Sequence, residues 1–309
     1  MNRKKHLILH ILFLICLLCG CQQPEEIPGQ QVVTIPESSL PSMETEHSPD
    51  LPTTDTDSET QPEAVSLPSP GVHTLENLLR TALLPVGDTM DIWGGGWNEE
   101  DTGAGIEAVS FGVSPKWKEF ADRQDSDYNV KEHRYQIHDG LDCSGYVGWI
   151  IYNVMETEEN KEGYVTKSTD TAGHLANLGL GDFYDTNREK TFLCGDIVSM
   201  KGHVWLSLGT CADSSVLLLH SSPPGVRFSG TRLPDGSQSQ AVGLAQQVME
   251  TYYPDWYARY PACDVSADYL ENVSLLRITD TVFPDAGNLQ ALSPEELVRL
   301  LFERKNDNE

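Results

Sequence analysis

The stretch CGDIVSMKGHVWLSLGTCADSSVLLLHSS, Cys194 to Ser222, decides the architecture, because three β-rich runs alternate in it with turn residues. Lys201-Gly202 has the length and the glycine of a two-residue hairpin loop, which pairs Met200 with His203 and, further along, Cys194 with Gly209. The next loop, Thr210 to Ser214, joins Gly209 to Ser215 and sets His203 opposite Ser221. His220 then falls one position out of register. A one-residue shift or bulge brings both imidazoles to one face at one end of the sheet. In the middle run, His203, Trp205 and Ser207 alternate with Val204, Leu206 and Leu208, which leaves the histidine opposite the aliphatic face.

Upstream, Asp142, Cys143, Ser144 and Gly145 open the apolar run GYVGWIIYNV and put a thiol at a helix start. Unpaired first-turn amides and the positive end of the helix dipole favour thiolate over thiol there. A free cysteine among apolar neighbours is also a small buried hydrophobe in many folds, and a lone histidine on a strand is usually a satisfied polar group. Two histidines at one sheet end with a helix-start thiol instead suit a nucleophile, a base and a third group that orients the base.

DCSGYVGW resembles the nucleophile motif of the NlpC family of papain-like cell-wall cysteine peptidases. GDIVSMKGHVWLSLG resembles that family's histidine strand and LLLHSSPPGV its third-residue strand. The resemblance implies an α+β, papain-like (NlpC-type) fold with the nucleophile helix packed on an antiparallel β-sheet and the cleft between them. By it, Cys143 is the nucleophile, His203 the general base and His220 the orienting residue. Asp142, Ser144 and Trp93 contact substrate, and the Cys143 N–H contributes to an oxyanion hole. The implied reaction is hydrolysis of an amide in peptidoglycan stem peptides, often after γ-D-glutamate, with no cofactor and no metal. An amidase or acyl transferase on the same thiol, and a non-catalytic wall-binding lipoprotein, stand as alternatives. The match covers Met90 to Gly95 and Asp139 to Ser229 and has two departures. Asp91 replaces the first aromatic, usually tyrosine, of the element before the nucleophile, and 48 positions separate Gly95 from Cys143.

The chain has the organisation of an exported lipoprotein. Arg3, Lys4 and Lys5 precede an apolar run that ends Leu18-Cys19-Gly20-Cys21, the shape of a secretory signal over residues 1–20. The ending resembles the bacterial lipobox, which implies cleavage before Cys21, its lipidation, and an extracytoplasmic domain anchored to the membrane through that residue. From Gln22 to Pro70 there are ten acidic residues, no Lys or Arg, and nine of the 18 prolines. Residues 21–71 thus read as a disordered tether, and 72–309 as the peptidase domain with insertions at about 96–138 and 230–272. Without the signal the chain carries 18 basic against 47 acidic residues, a balance that argues against nucleic acid or anionic lipid as partner.

Lesser features read structurally. A helix spans Thr171 to Leu178, another runs from Gln240 to Tyr260 with an aromatic cluster that packs as core, and Ser293, Pro294 and Glu296 form a capping box before LVRLLFER. His133, His138 and His174 are surface histidines. Asp125, Asp127 and Asn129 have calcium-loop spacing, but Val130 and Gln136 stand where glycine and glutamate are required. Gly94-Gly95-Gly96 is a turn, since no Lys-Ser or Lys-Thr of a phosphate loop follows. A Cys194–Cys211 bridge is geometrically marginal.

Overall fold

The computed structural model describes residues 68–185 and 191–306, all within the unit Gln61–Glu309. The signal segment, Cys21 and most of the tether lie outside the described residues. Ser69 already exchanges hydrogen bonds with Asn77, its N–H donating to Oδ1 and its carbonyl accepting from Nδ2, both at 2.9 Å.

In chain order the elements are α1 (Leu75–Leu83), β1 (Met90–Asp91), α2 (Pro115–Asp122), β2 (Gly140–Leu141), α3 (Cys143–Met155), α4 (Thr171–Asn177) and β3 (Gly181–Asp185). The meander follows as β4 (Ile197–Met200), β5 (His203–Thr210), β6 (Val216–Ser222) and β7 (Gly225–Thr231). Then come α5 (Gln240–Tyr252), α6 (Pro254–Arg259), β8 (Asp264–Val265), β9 (Ser274–Ile278) and α7 (Pro294–Asn306). The class is α+β. One sheet runs β2-β1-β7-β6-β5-β4-β9-β3, with β8 beside β7. Its centre is antiparallel as expected, but β1 pairs with β2 and β7 with β8 in parallel, because each of these strands joins from a distant segment and not through a hairpin.

Period-2 alternation divides the core into two clusters on opposite faces of the sheet. Val204, Leu206 and Leu208 of β5 and Leu217 and Leu219 of β6 pack with the helices, whereas Trp205, Val216 and Leu218 pack with Val198, Val265 and Leu275 on the other face. Helix α3 is apolar all round and is buried from Ser144 to Val154, as expected of a central helix covered on every side.

The hairpin registers differ in an instructive way. Met200 pairs with His203 across Lys201-Gly202, as the loop length requires. The β5–β6 loop keeps its expected length but lies one residue later: Thr210 pairs with Val216 and Gly209 with Leu217, and a bulge between Ser207 and Gly209 shifts the ladder to Ser207–Leu218 and Leu206–Leu219. Carried to the end of β5, that register places His203 and His220 as diagonal neighbours on one face, where the unbulged ladder would leave them on opposite faces.

The expected helix from Gln240 to Tyr260 breaks at Tyr253, because Pro254 lacks the N–H that would continue it and instead starts α6 at its first position. Of the aromatic cluster, Trp256 and Tyr260 are buried, while Tyr252 is partly exposed and stacks on Phe302 at 4.0 Å. The capping box of α7 forms: Ser293 Oγ accepts from Glu296 N–H at 3.3 Å, and Glu296 Oε2 accepts from Ser293 N–H at 2.9 Å. Ser293→Ala is expected to cost about 1 kcal/mol. That corresponds to a fall in Tm of roughly 2–4 °C by calorimetry.

Candidate active site

Two short strands bring the glycine turn to Cys143. β1 and β2 pair Met90 with Gly140 and Asp91 with Leu141, so the 48 positions between Gly95 and Cys143 close on themselves. The turn then docks on the start of α3, where Asp142 N–H donates to the Gly95 carbonyl at 2.9 Å. Asp142 is the helix cap: Oδ1 accepts from Gly145 N–H at 2.7 Å and from Ser144 Oγ at 2.8 Å, and Oδ2 accepts from Gly94 N–H at 3.2 Å. Ser144 Oγ also accepts from the Trp97 indole at 3.0 Å. Asp142 and Ser144 are therefore fastened to the scaffold and hold Cys143 in place. Trp93 lies at the surface, 56% exposed, with the Arg134 guanidinium 4.7 Å from its ring centre.

The Cys143 sulfur faces the backbone N–H groups of Ser144 and of Val204, the residue after His203. Both favour thiolate, as a helix start should, yet burial and then the charge of Asp142 outweigh them and push the thiol well above its ordinary range. The first-turn N–H of Cys143 has no acceptor among the described residues.

His203 Nε2 lies 3.0 Å from His220 Nδ1, and His220 Nε2 lies 3.0 Å from Ser229 Oγ. Two sets of neutral tautomers satisfy this chain: in one, His203 Nε2–H donates to His220 Nδ1, His220 Nε2–H donates to Ser229 Oγ and His203 Nδ1 keeps its lone pair; in the other every donor is reversed and His203 Nδ1 carries the hydrogen. Burial holds both imidazoles neutral, aided by the positive charge of Arg227; His203 is lowered to about 4 and His220 falls well below its ordinary value. The resting couple is thus a neutral thiol and a neutral imidazole. The thiolate that the helix start was expected to favour is suppressed by desolvation.

The imidazoles lie on the sheet face opposite the one covered by α3, and Cys143 meets the start of β5 through the Val204 N–H that faces its sulfur. The ring of Tyr269, in the 3₁₀ turn Ala267–Leu270, covers this end, 5.3 Å from His203 and 6.2 Å from His220 between ring centres. Sequence reasoning missed Tyr269, Ser229 and Arg227. The last two carried a signal, since Arg227 and Ser229 alternate with the buried Val226 and Phe228 and so share the face of His220.

The remaining candidates stay apart from this centre. Asp125 caps its own turn by accepting from Asp127 N–H at 2.9 Å, and Asn129 caps the next turn by accepting from Lys131 N–H at 3.1 Å. Cys143, Cys194, Cys211 and Cys263 are free thiols, so the Cys194–Cys211 bridge does not form. His133 stacks on Tyr128, and His138 pairs with the buried Glu107 at 2.5 Å. His138 also lines a cavity of about 320 Å3 with Gly94, Trp97, Glu99, Asp101 and Tyr135. Gly94 and Trp97 are the same residues that hold Asp142 and Ser144, so the cavity borders the turn that carries Cys143. No described helix is long and apolar enough to cross a membrane.

Comparison with protein-family models, with curated proteins and with solved structures finds no match.

Proposed function

We propose that this chain is a papain-like cysteine peptidase of the NlpC type that hydrolyses amide bonds in peptidoglycan stem peptides, after γ-D-glutamate. In the same reading it acts outside the cytoplasmic membrane, tethered through a lipid on Cys21. One observation carries the proposal. His203 Nε2 is committed to His220, which leaves Nδ1 as the base, in the residue adjoining the amide that bonds the Cys143 sulfur.

The chemistry follows from those groups. Sγ–H gives its proton to His203 Nδ1 as the sulfur bonds the scissile carbonyl carbon, and the developing oxyanion takes the free N–H of Cys143. The imidazolium returns the proton to the leaving nitrogen as the C–N bond breaks, giving a thioester. Water then loses a proton to His203, attacks the thioester carbon, and the sulfur departs and is reprotonated. A base lowered to about 4 is unprotonated through neutral pH, and its conjugate acid is strong enough to protonate an amine leaving group readily. The cavity beside Gly94 and Trp97 offers room for a peptide side chain next to the nucleophile turn.

The test is digestion of purified sacculi by the protein, with mass analysis of what is released. Peptides with a new amino terminus following γ-D-glutamate are expected. Release of intact stem peptides would assign the cut to the sugar–peptide link and favour an amidase. Sacculi left unaltered would favour a binding lipoprotein.

A further inference from the structure

Asp91, which stands where the resembling family has an aromatic, is one of the most enclosed carboxyl groups in the described structure, 8% exposed. Its backbone is fixed on both sides: its N–H donates to the Pro224 carbonyl at 2.8 Å, and its carbonyl accepts from Tyr128 OH at 2.8 Å. Its side chain faces Ser221, with Oδ1 to Oγ at 3.2 Å.

Proton counting at Ser221 fixes the state of that contact. Ser221 Oγ lies 2.6 Å from the Leu141 carbonyl, which has no hydrogen to give, so the single hydroxyl hydrogen belongs to that bond. A serine hydroxyl facing a carboxylate ordinarily stabilises the ionised form, but here its hydrogen is already committed. The 3.2 Å contact then joins two acceptors unless Asp91 itself carries the proton.

The charged and titratable groups around Asp91 come from every neighbouring element. Asp142 and Cys143 face it from the start of α3, Arg227 from β7, Tyr128 from the loop before β2 and Tyr269 from the 3₁₀ turn. From α2, packed against β1, only Trp117, Phe120 and Ala121 are turned inward. Ionising Asp91 would put a second carboxylate beside Asp142 and next to the sulfur, opposed by the charge of Arg227.

We propose that Asp91 is held as a neutral carboxylic acid donating to Ser221, and that it is a positioning residue for the nucleophile. Protonated, it adds no charge near the sulfur; ionised, it opposes formation of the thiolate. The inference rests on Cys143 being the nucleophile. Burial first, and the charge of Asp142 second, push the Asp91 carboxyl up to about 7, so the change of state falls in the physiological range.

The test needs no substrate, which separates it from the peptidase reading. Alkylation of Cys143 by iodoacetamide is followed from pH 5 to 9 in the full-length protein and in Asp91→Asn. Above pH 7 the wild-type rate is expected to climb less steeply than that of the variant. At pH 8, one unit above the midpoint, the two differ by up to about tenfold. Superimposable profiles would overturn the inference. A second measurement titrates the Asp91 carboxyl carbon by NMR in wild type and in Ser221→Ala. Removing the acceptor of its proton should lower the Asp91 midpoint; a raised midpoint, or a carboxylate signal already present at pH 5, would overturn the proposal even if the first variant fails to fold.

Discussion

Cys143→Ala is expected to reduce peptide release from sacculi to the level of buffer, and His203→Ala to reduce it by about 10³- to 10⁴-fold, because the resting thiol is neutral and its proton has to be taken by a base during attack. The size of the second effect follows from the electrostatics. In sites with a preformed thiolate-imidazolium pair the base has done its work before substrate arrives. Here burial pushes the thiol up and the imidazole down, so the proton must move during attack. The two residues act as one unit, and the double variant should be no slower than Cys143→Ala alone. The pH profile carries a sign that can be checked. The base is lost only as pH falls through about 4, well below the range of an ordinary histidine, so activity should persist at pH 5 where an unperturbed imidazole would be mostly charged. Retention of release by Cys143→Ala would remove the peptidase reading altogether. An acid limb near the ordinary histidine value would leave the nucleophile in place but assign its base elsewhere.

What the sequence made legible was local. Lys201-Gly202 specified its own hairpin, Asp142 its own helix cap, and Ser293 with Glu296 their own box, since each signal lies within a few residues of what it controls. The pairing of His203 with His220 depends on the bulge between Ser207 and Gly209, an extra residue that aliphatic alternation does not reveal. Spacing alone therefore left the two imidazoles one residue apart on opposite faces. Asp91 is harder still. As a letter in a motif it reads as a defect, and its surroundings become visible only when the fold brings Ser221, 130 positions away, to its side chain. Tyr269 gave no signal at all, because a short 3₁₀ turn after β8 carries it over the histidines and no periodicity marks such a turn.

Gly145→Ala is expected to destabilise the protein by about 3 kcal/mol or more and to abolish activity with it. A methyl group there would overlap the Gly95 carbonyl oxygen and crowd Gly96 Cα, both of them backbone atoms that cannot rotate away. Those atoms are also fixed in place, because the Gly95 carbonyl accepts from Asp142 N–H, and Gly94 and Gly96 hold left-handed backbone at φ of 88° and 86°. Relief would require the turn and the helix start to separate, which would break the Asp142 cap and move the sulfur. A displacement of about 1 Å in a reacting group is enough to cost roughly 10²-fold in rate. The control is Gly243→Ala in α5, where a methyl group meets nothing within 4 Å. There the same chemical change should stabilise by about 0.5–1 kcal/mol, since alanine loses less backbone freedom in a helix than glycine. Urea unfolding of the two variants should therefore move the midpoint in opposite directions. Equal small shifts would mean that the glycine turn does not press against the nucleophile helix and that Cys143 is positioned by something else.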